Sequence, residues 1–133
     1  MASNISDYAA NKLIDHITGK TTFTKPTVYI GLSTANPTND GSGLAEPVGN
    51  GYARVATTGS TWNAAATRST SNASAITFPE ATGSWGTLTH FALFDASSGD
   101  NMLAWGQLTA PEAIDDGQIP RYSTGTLTIA YTV

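Results

Sequence analysis

The sequence predicts a mainly β fold, a compact antiparallel β-sandwich or barrel-like domain preceded by one N-terminal amphipathic helix. Three observations predict it. Apolar residues recur every four positions from Ile5 to Ile17, short β-type runs broken by Gly, Pro, Asn and Asp fill the chain beyond Gly19, and strict alternation closes it from Leu127 to Val133. At 133 residues the chain has the length of one ordinary domain and buries roughly two-thirds of its unfolded surface in one core. The expected organisation is therefore a single domain over 1–133, with the helix in 1–20 and the β body in 21–133.

The helix is expected from Ser3 to Gly19. Ile5, Ala9, Leu13 and Ile17 form its stripe, with Tyr8 and Ile14 beside it. Ser3 or Asn4 supplies a cap, Asp7 faces the positive dipole end, and Gly19 followed by Lys20 suits the stop. Val28 to Ser33 is then the first strand, too continuously apolar for a one-sided strand and so expected to be buried on both faces or near the helix. From Asn36 to Gly51 nearly every residue is a turn former, which predicts a long loop and a first candidate for contact with a partner.

Strand character resumes from Tyr52 to Thr58. Thr61 to Ser74, rich in Ala, Ser, Thr and Asn around Trp62, reads as irregular or as an edge strand. Ala75 to Phe78 is a short strand stopped by Pro79, and Gly83 to Gly86 holds Trp85 in a turn. Leu88 to Asp95 and Met102 to Leu108 are two apolar strands joined by residues 96–101, the strongest hairpin signal in the chain and the expected centre of the sheet. Asp115, Asp116 and Gly117 form a turn, and the last strand turns Leu127, Ile129, Tyr131 and Val133 to one face.

Charged residues are only 12% of the chain, about half the usual fraction of roughly 25%, and hydroxyl and amide side chains replace them. A surface of that kind, with a formal net charge of −4, opposes close packing of copies only weakly. Nucleic acid is excluded as the expected partner, because the three Lys and three Arg are scattered and phosphate binding needs them clustered. No apolar run approaches the ~20 residues of a spanning helix and the N-terminus lacks a signal-peptide pattern, so the expectation is no membrane and synthesis in a cytoplasm. With no cysteine there is no disulfide, thiolate nucleophile or Cys-based zinc site.

No catalytic constellation is legible. His16 lies in the helix and His90 in an apolar strand, neither within a metal or catalytic motif, and His90 is expected hydrogen-bonded at the core edge or at a subunit contact. Asp95, Asp100 and Asn101, with Asn39, Asp40 and Ser42, offer oxygen ligands, but they match no calcium-loop spacing and read as turns. No Gly-x-Ser-x-Gly elbow or phosphate-cradling loop occurs. The expectation is therefore no enzyme, no cofactor and no metal. Trp105 is expected in the core, whereas Trp62 and Trp85 lie near turns where exposure is open to them. The candidate partner-contact residues are Asn39, Asp40, Tyr52, Trp62 and Trp85.

Two stretches carry a family resemblance. One is Val-Tyr-Ile-Gly-Leu-Ser-Thr-Ala-Asn-Pro from Val28, followed by Asp-Gly-Ser-Gly-Leu-Ala-Glu-Pro and Gly-Tyr-Ala-Arg-Val up to Val55. The other is Ala-Ile-Thr-Phe-Pro-Glu-Ala-Thr-Gly-Ser-Trp-Gly-Thr-Leu-Thr-His-Phe-Ala-Leu-Phe from Ala75 to Phe94. With the helical opening at Leu13, Ile14 and His16, they resemble small virion proteins of tailed bacteriophages that go by the names tail fibre, head fibre and capsid decoration protein. The resemblance implies an oligomeric, non-enzymatic part of the virion surface whose partners are the major capsid protein or other virion proteins. A chain this short leaves little room for a fibre shaft, so size favours a capsid decoration (cement) protein that clamps capsomer junctions. A homotrimer would match three-fold sites in a shell. The alternative is a small head or tail fibre module that binds host-surface glycan or protein through Trp62, Trp85 and the long loop.

Overall fold

The computed structural model describes residues 2–132. It is mainly β with one N-terminal helix. Strands β1 (Ser3–Ile5), β2 (Tyr29–Ser33), β3 (Val55–Ala56), β6 (Gly86–Phe94) and β7 (Met102–Ile114) form one antiparallel sheet in the order β1-β7-β6-β2-β3. Two short ribbons accompany it, β4 (Ser69–Ser71) with β9 (Thr128–Ala130), and β5 (Ile76–Thr77) with β8 (Arg121–Tyr122). Helix α1 spans Asp7–Ile17.

Alternation along the central strands sorts their side chains to two faces. Ile30, Leu32, Phe91, Ala104 and Leu108 face one side and pack with Ile76, Phe78, Trp85, Leu127 and Ile129 from the ribbons and connections. Ala92, Phe94, Met102 and Trp105 face the other, under Leu44 of the long loop. Because both faces are covered, β2 reads as continuously apolar, as the sequence predicts, and Ile30, Leu32 and Ser33 are fully buried.

The hairpin from β6 to β7 forms the centre of the sheet. Its turn is closed by Asp95, whose carboxylate accepts from the Asn101 backbone N–H (3.0 Å) and side-chain amide (3.1 Å). β7 is longer than expected, continuing past Leu108 to Ile114. The run Thr109 to Ala113, which has no large apolar side chain, hides this from hydropathy, and the register breaks between Leu88↔Glu112 and His90↔Gln107, so that Pro111, without an N–H, sits where the ladder is already interrupted.

The chain start corrects the helix expected from Ser3. Residues Ser3–Ile5 form an edge strand paired with Ala104–Gly106, and Ile5 packs on the core instead of the helix stripe. Its four-residue spacing from Ala9 is met by a strand that ends where the helix begins. Neither Ser3 nor Asn4 is the cap: Ser6 has the extended backbone of an N-cap and its Oγ accepts from the Ala9 N–H (3.1 Å). The same hydroxyl donates to the Met102 carbonyl (2.5 Å), fixing the helix start to β7.

Elsewhere the elements are shorter than the patterns suggest. The run Tyr52–Thr58 contributes only Val55–Ala56 to the sheet, because beyond that point Thr57 turns both its N–H and its hydroxyl to the Val28 carbonyl. Within the ambiguous stretch 61–74, a 3-10 turn over Gly59–Thr61 precedes Trp62, and Ser69–Ser71 pairs with β9. On the closing strand Leu127 and Ile129 point inward as expected, but Tyr131, one residue past the end of β9, is 44% exposed although its N–H still donates to the Arg68 carbonyl (2.8 Å). Val133 lies outside the described residues.

Candidate functional site

The long loop 36–51 is not a free surface excursion. Pro37 is buried, the Asn39 carbonyl accepts from the Asp7 N–H at the start of α1 (2.8 Å), and the Asn39 side chain accepts from the Trp105 indole (2.9 Å). The loop thus lids the second face of the sheet and locks to the helix.

Its far end is held by charge. Glu46 grips Arg54 with two hydrogen bonds, Oε2 to Nε at 3.0 Å and Oε1 to Nη2 at 2.5 Å. The Arg54 side chain is 4% exposed, lies 3.5 Å over the Phe94 ring, and spends Nη1 on the Ala96 and Gly99 carbonyls of the hairpin turn (2.9 and 3.0 Å). The Tyr52 hydroxyl donates to Glu46 Oε2 (2.6 Å) and accepts from the Leu32 N–H (2.9 Å). Burial, and then the adjacent carboxylate, push this phenol far above its ordinary range, so it remains a donor. One ion pair therefore ties the loop, the strand region after Tyr52 and the hairpin turn together. Bidentate geometry and burial make it the strong kind of pair.

Where loop, turn and helix start converge they leave a cleft of about 450 Å³ rimmed by Asp7, Asn39, Asp40, Asp100 and Asn101. Asp40 stands fully in solvent at its lip. It accepts from the Thr38 hydroxyl (2.7 Å) and from the Ser42 N–H and hydroxyl (3.0 and 2.8 Å). Those bonds, the Thr38 one first, lower its pKa to about 2. This is the geometry of a turn carboxylate.

A second cleft, of about 350 Å³, lies between the segment Lys25–Val28 and Thr57–Gly59, with the Trp62 ring on its wall. Trp62 is half-buried and its indole N–H is spent on the Thr57 hydroxyl (3.2 Å). That bond fixes the orientation of the ring, which also packs against the core.

The sequence-selected residues thus separate. Asn39 and Asp40 share the first cleft, Trp62 stands alone at the second, and Tyr52 and Trp85 pack edge to face at 5.3 Å. Trp85 corrects the exposure open to a turn residue. It is 4% exposed, with its indole N–H donating to the Asn50 carbonyl (2.8 Å), because Gly86 at φ 83° folds the chain so that the ring enters the core. Trp105 occupies the core as expected, and His90 is buried beside it with Thr89 Oγ1 2.8 Å from its Nδ1. Burial lowers the pKa of His90. His16 accepts from the Phe23 N–H (3.1 Å). Among the described residues no group of three or more His, Asp or Glu side chains is placed to hold a metal ion, and no helix is long and apolar enough to cross a membrane.

Sequence reasoning did not single out Glu46, Arg54 or Asn72. Asn72 is fully buried, accepts from the Leu127 N–H (2.9 Å) and donates to the Ser74 and Ser123 carbonyls (2.9 and 3.0 Å), so it stands in for a missing piece of ladder. The available signal for the ion pair was the rarity of charge: an isolated Glu and Arg flank Tyr52 in an otherwise uncharged stretch.

Comparison of the sequence with known protein families gives a class, a phage fibre protein of the virion. A family model described as Podophage GP4 fiber I protein gp80 matches residues 4–130. The chain belongs to that family. No curated protein matches the sequence.

Proposed function

We propose that the chain is a non-enzymatic subunit of a phage fibre on the virion surface, held by contacts with other virion proteins and with copies of itself. The observation that carries this reading is the family match over residues 4–130. The structure supports it in kind: one pair, Glu46 with Arg54, pins a loop over the sheet, and polar residues rim the first cleft. In this reading the host-facing candidates are Trp62, whose fixed ring face suits a sugar or an apolar side chain, and Asn39 with Asp40 at the first cleft. A homotrimer, whose three-fold symmetry would match sites in a shell, goes with the capsid decoration reading.

Compactness of the described fold favours a second reading, the capsid decoration role. The two separate when purified protein is added to susceptible cells and to emptied, expanded shells. The fibre reading expects retention on cells and competition with phage adsorption, weakened by Trp62→Ala. Binding to shells that raises their disruption temperature, with none to cells, overturns it in favour of decoration.

A further inference from the structure

A third cleft, of about 220 Å³, lies between the far half of β7 and the segment that begins with β8. The buried Leu108 and Leu127 are its apolar part, and Glu112, Arg121, Tyr122 and Ser123 its polar part. Tyr122 Oη is shut off from solvent yet has no hydrogen-bond partner, the one such side-chain atom among the described residues. Burial, and then the Glu112 carboxylate, push this phenol above its ordinary range, so its hydroxyl keeps its proton. An orphaned buried hydroxyl is costly to a fold and rare in one. Glu112 and Arg121 are exposed side chains of opposite charge on the same cleft, and no ion pair closes them on each other. Three polar groups thus stand together with their hydrogen-bonding capacity unspent.

We propose that this cleft binds one neutral sugar unit, with Tyr122, Glu112 and Arg121 meeting its hydroxyls and Leu108 and Leu127 its C–H face. The lining chooses that ligand. An anion would suit Arg121 and be repelled by Glu112, and a cation the reverse. A sugar hydroxyl donates to a carboxylate and accepts from a guanidinium, so neighbouring hydroxyls use both groups without carrying charge. A zwitterion would meet the two charges and leave the phenol as it was, whereas a phenol and a serine hydroxyl find in a sugar groups that donate and accept as they do. The wall is also built in advance. Buried Asn72 accepts from the Leu127 N–H (2.9 Å) and donates to the Ser123 carbonyl (3.0 Å), and its own carbonyl accepts from the Gly125 N–H (2.9 Å). The Tyr122 ring is set edge to face against Phe78 at 6.0 Å. Groups held in place before the ligand arrives lose little freedom on binding it. The cleft shares no residue with the first cleft or with the Trp62 cleft, so its ligand does not depend on where the chain sits on the particle.

Titration of the isotope-labelled chain with glucose, galactose and mannose, and separately with glycine and inorganic phosphate, tests this by amide resonance shifts. At least one hexose is expected to shift Ala110, Glu112, Ser123 and Thr126 and to saturate in the millimolar range, and glycine and phosphate are expected to leave them in place. Tyr122→Phe keeps the ring on Phe78 and removes only the hydroxyl. It is expected to weaken the hexose about tenfold, while its urea midpoint without sugar equals or exceeds that of the wild type, because an orphaned hydroxyl holds nothing in the fold. Glu112→Gln is expected to weaken the hexose at an unchanged midpoint. Absence of hexose shifts at these amides, shifts from glycine or phosphate instead, or equal hexose affinity in Tyr122→Phe overturns the sugar assignment. A Tyr122→Phe midpoint below the wild type gives the hydroxyl a partner inside the fold and overturns it as well.

Discussion

At the scale of single residues, Arg54 and Glu46 decide the shape of the candidate surface. Removing an exposed ion pair changes stability little, but a guanidinium at 4% exposure has already given up its water, and two backbone carbonyls do not neutralise it. Glu46→Ala is therefore expected to destabilise the fold by about 3 kcal/mol, the cost of orphaning a buried charge. Urea unfolding measures it, and a loss under about 1 kcal/mol would contradict the buried-pair account. Glu46→Gln keeps a partner for the Tyr52 hydroxyl and is expected to cost less than Glu46→Ala. Turn chemistry identified Asn39 and Asp40, and both stand at the rim of the first cleft. The pair that shapes the cleft escaped notice because one Glu and one Arg, eight residues apart across a loop, carry no periodicity. Trp85 misled for a related reason, since a turn residue with its backbone at the surface can still send its ring inward.

At the scale of elements, alternation and turn chemistry made the central hairpin, the first strand and the Asp115–Gly117 turn legible, because each is specified within a few residues. The elements that were missed or mis-sized depend on distant partners. Ser3–Ile5 is a strand only because Ala104–Gly106 offers an edge, and β8 is a strand only because Ile76–Thr77 lies opposite. Sheet packing also imposes a constraint that composition does not announce. A Cβ at Gly106 would lie 2.5 and 2.6 Å from the Phe91 ring and 3.1 Å from the Thr128 carbonyl, since Phe91 lies directly across the strand pair and β9 crosses above. Gly106→Ala is expected to cost about 2 kcal/mol by overpacking, read as a lower urea midpoint at unchanged slope. Gly59→Ala, with nothing within 4 Å of its added Cβ, is expected to be nearly silent. Equal behaviour of the two variants would mean that the ring and the strand above it yield more freely than this packing implies.

At the scale of the whole molecule, a weakly charged body with both sheet faces covered suits a protein whose remaining contacts are made by neighbours. The broad class, mainly β and part of a virion, was legible from texture and from the two quoted segments. The position on the particle was not, because a compact fold serves a fibre and a shell clamp equally well and the difference lies in surfaces on other proteins. Gold-labelled antibody against this chain, applied to intact virions and located by electron microscopy, tests the central proposal directly. The fibre account predicts label on appendages at the tail or neck, and label spread evenly over the capsid facets would contradict it.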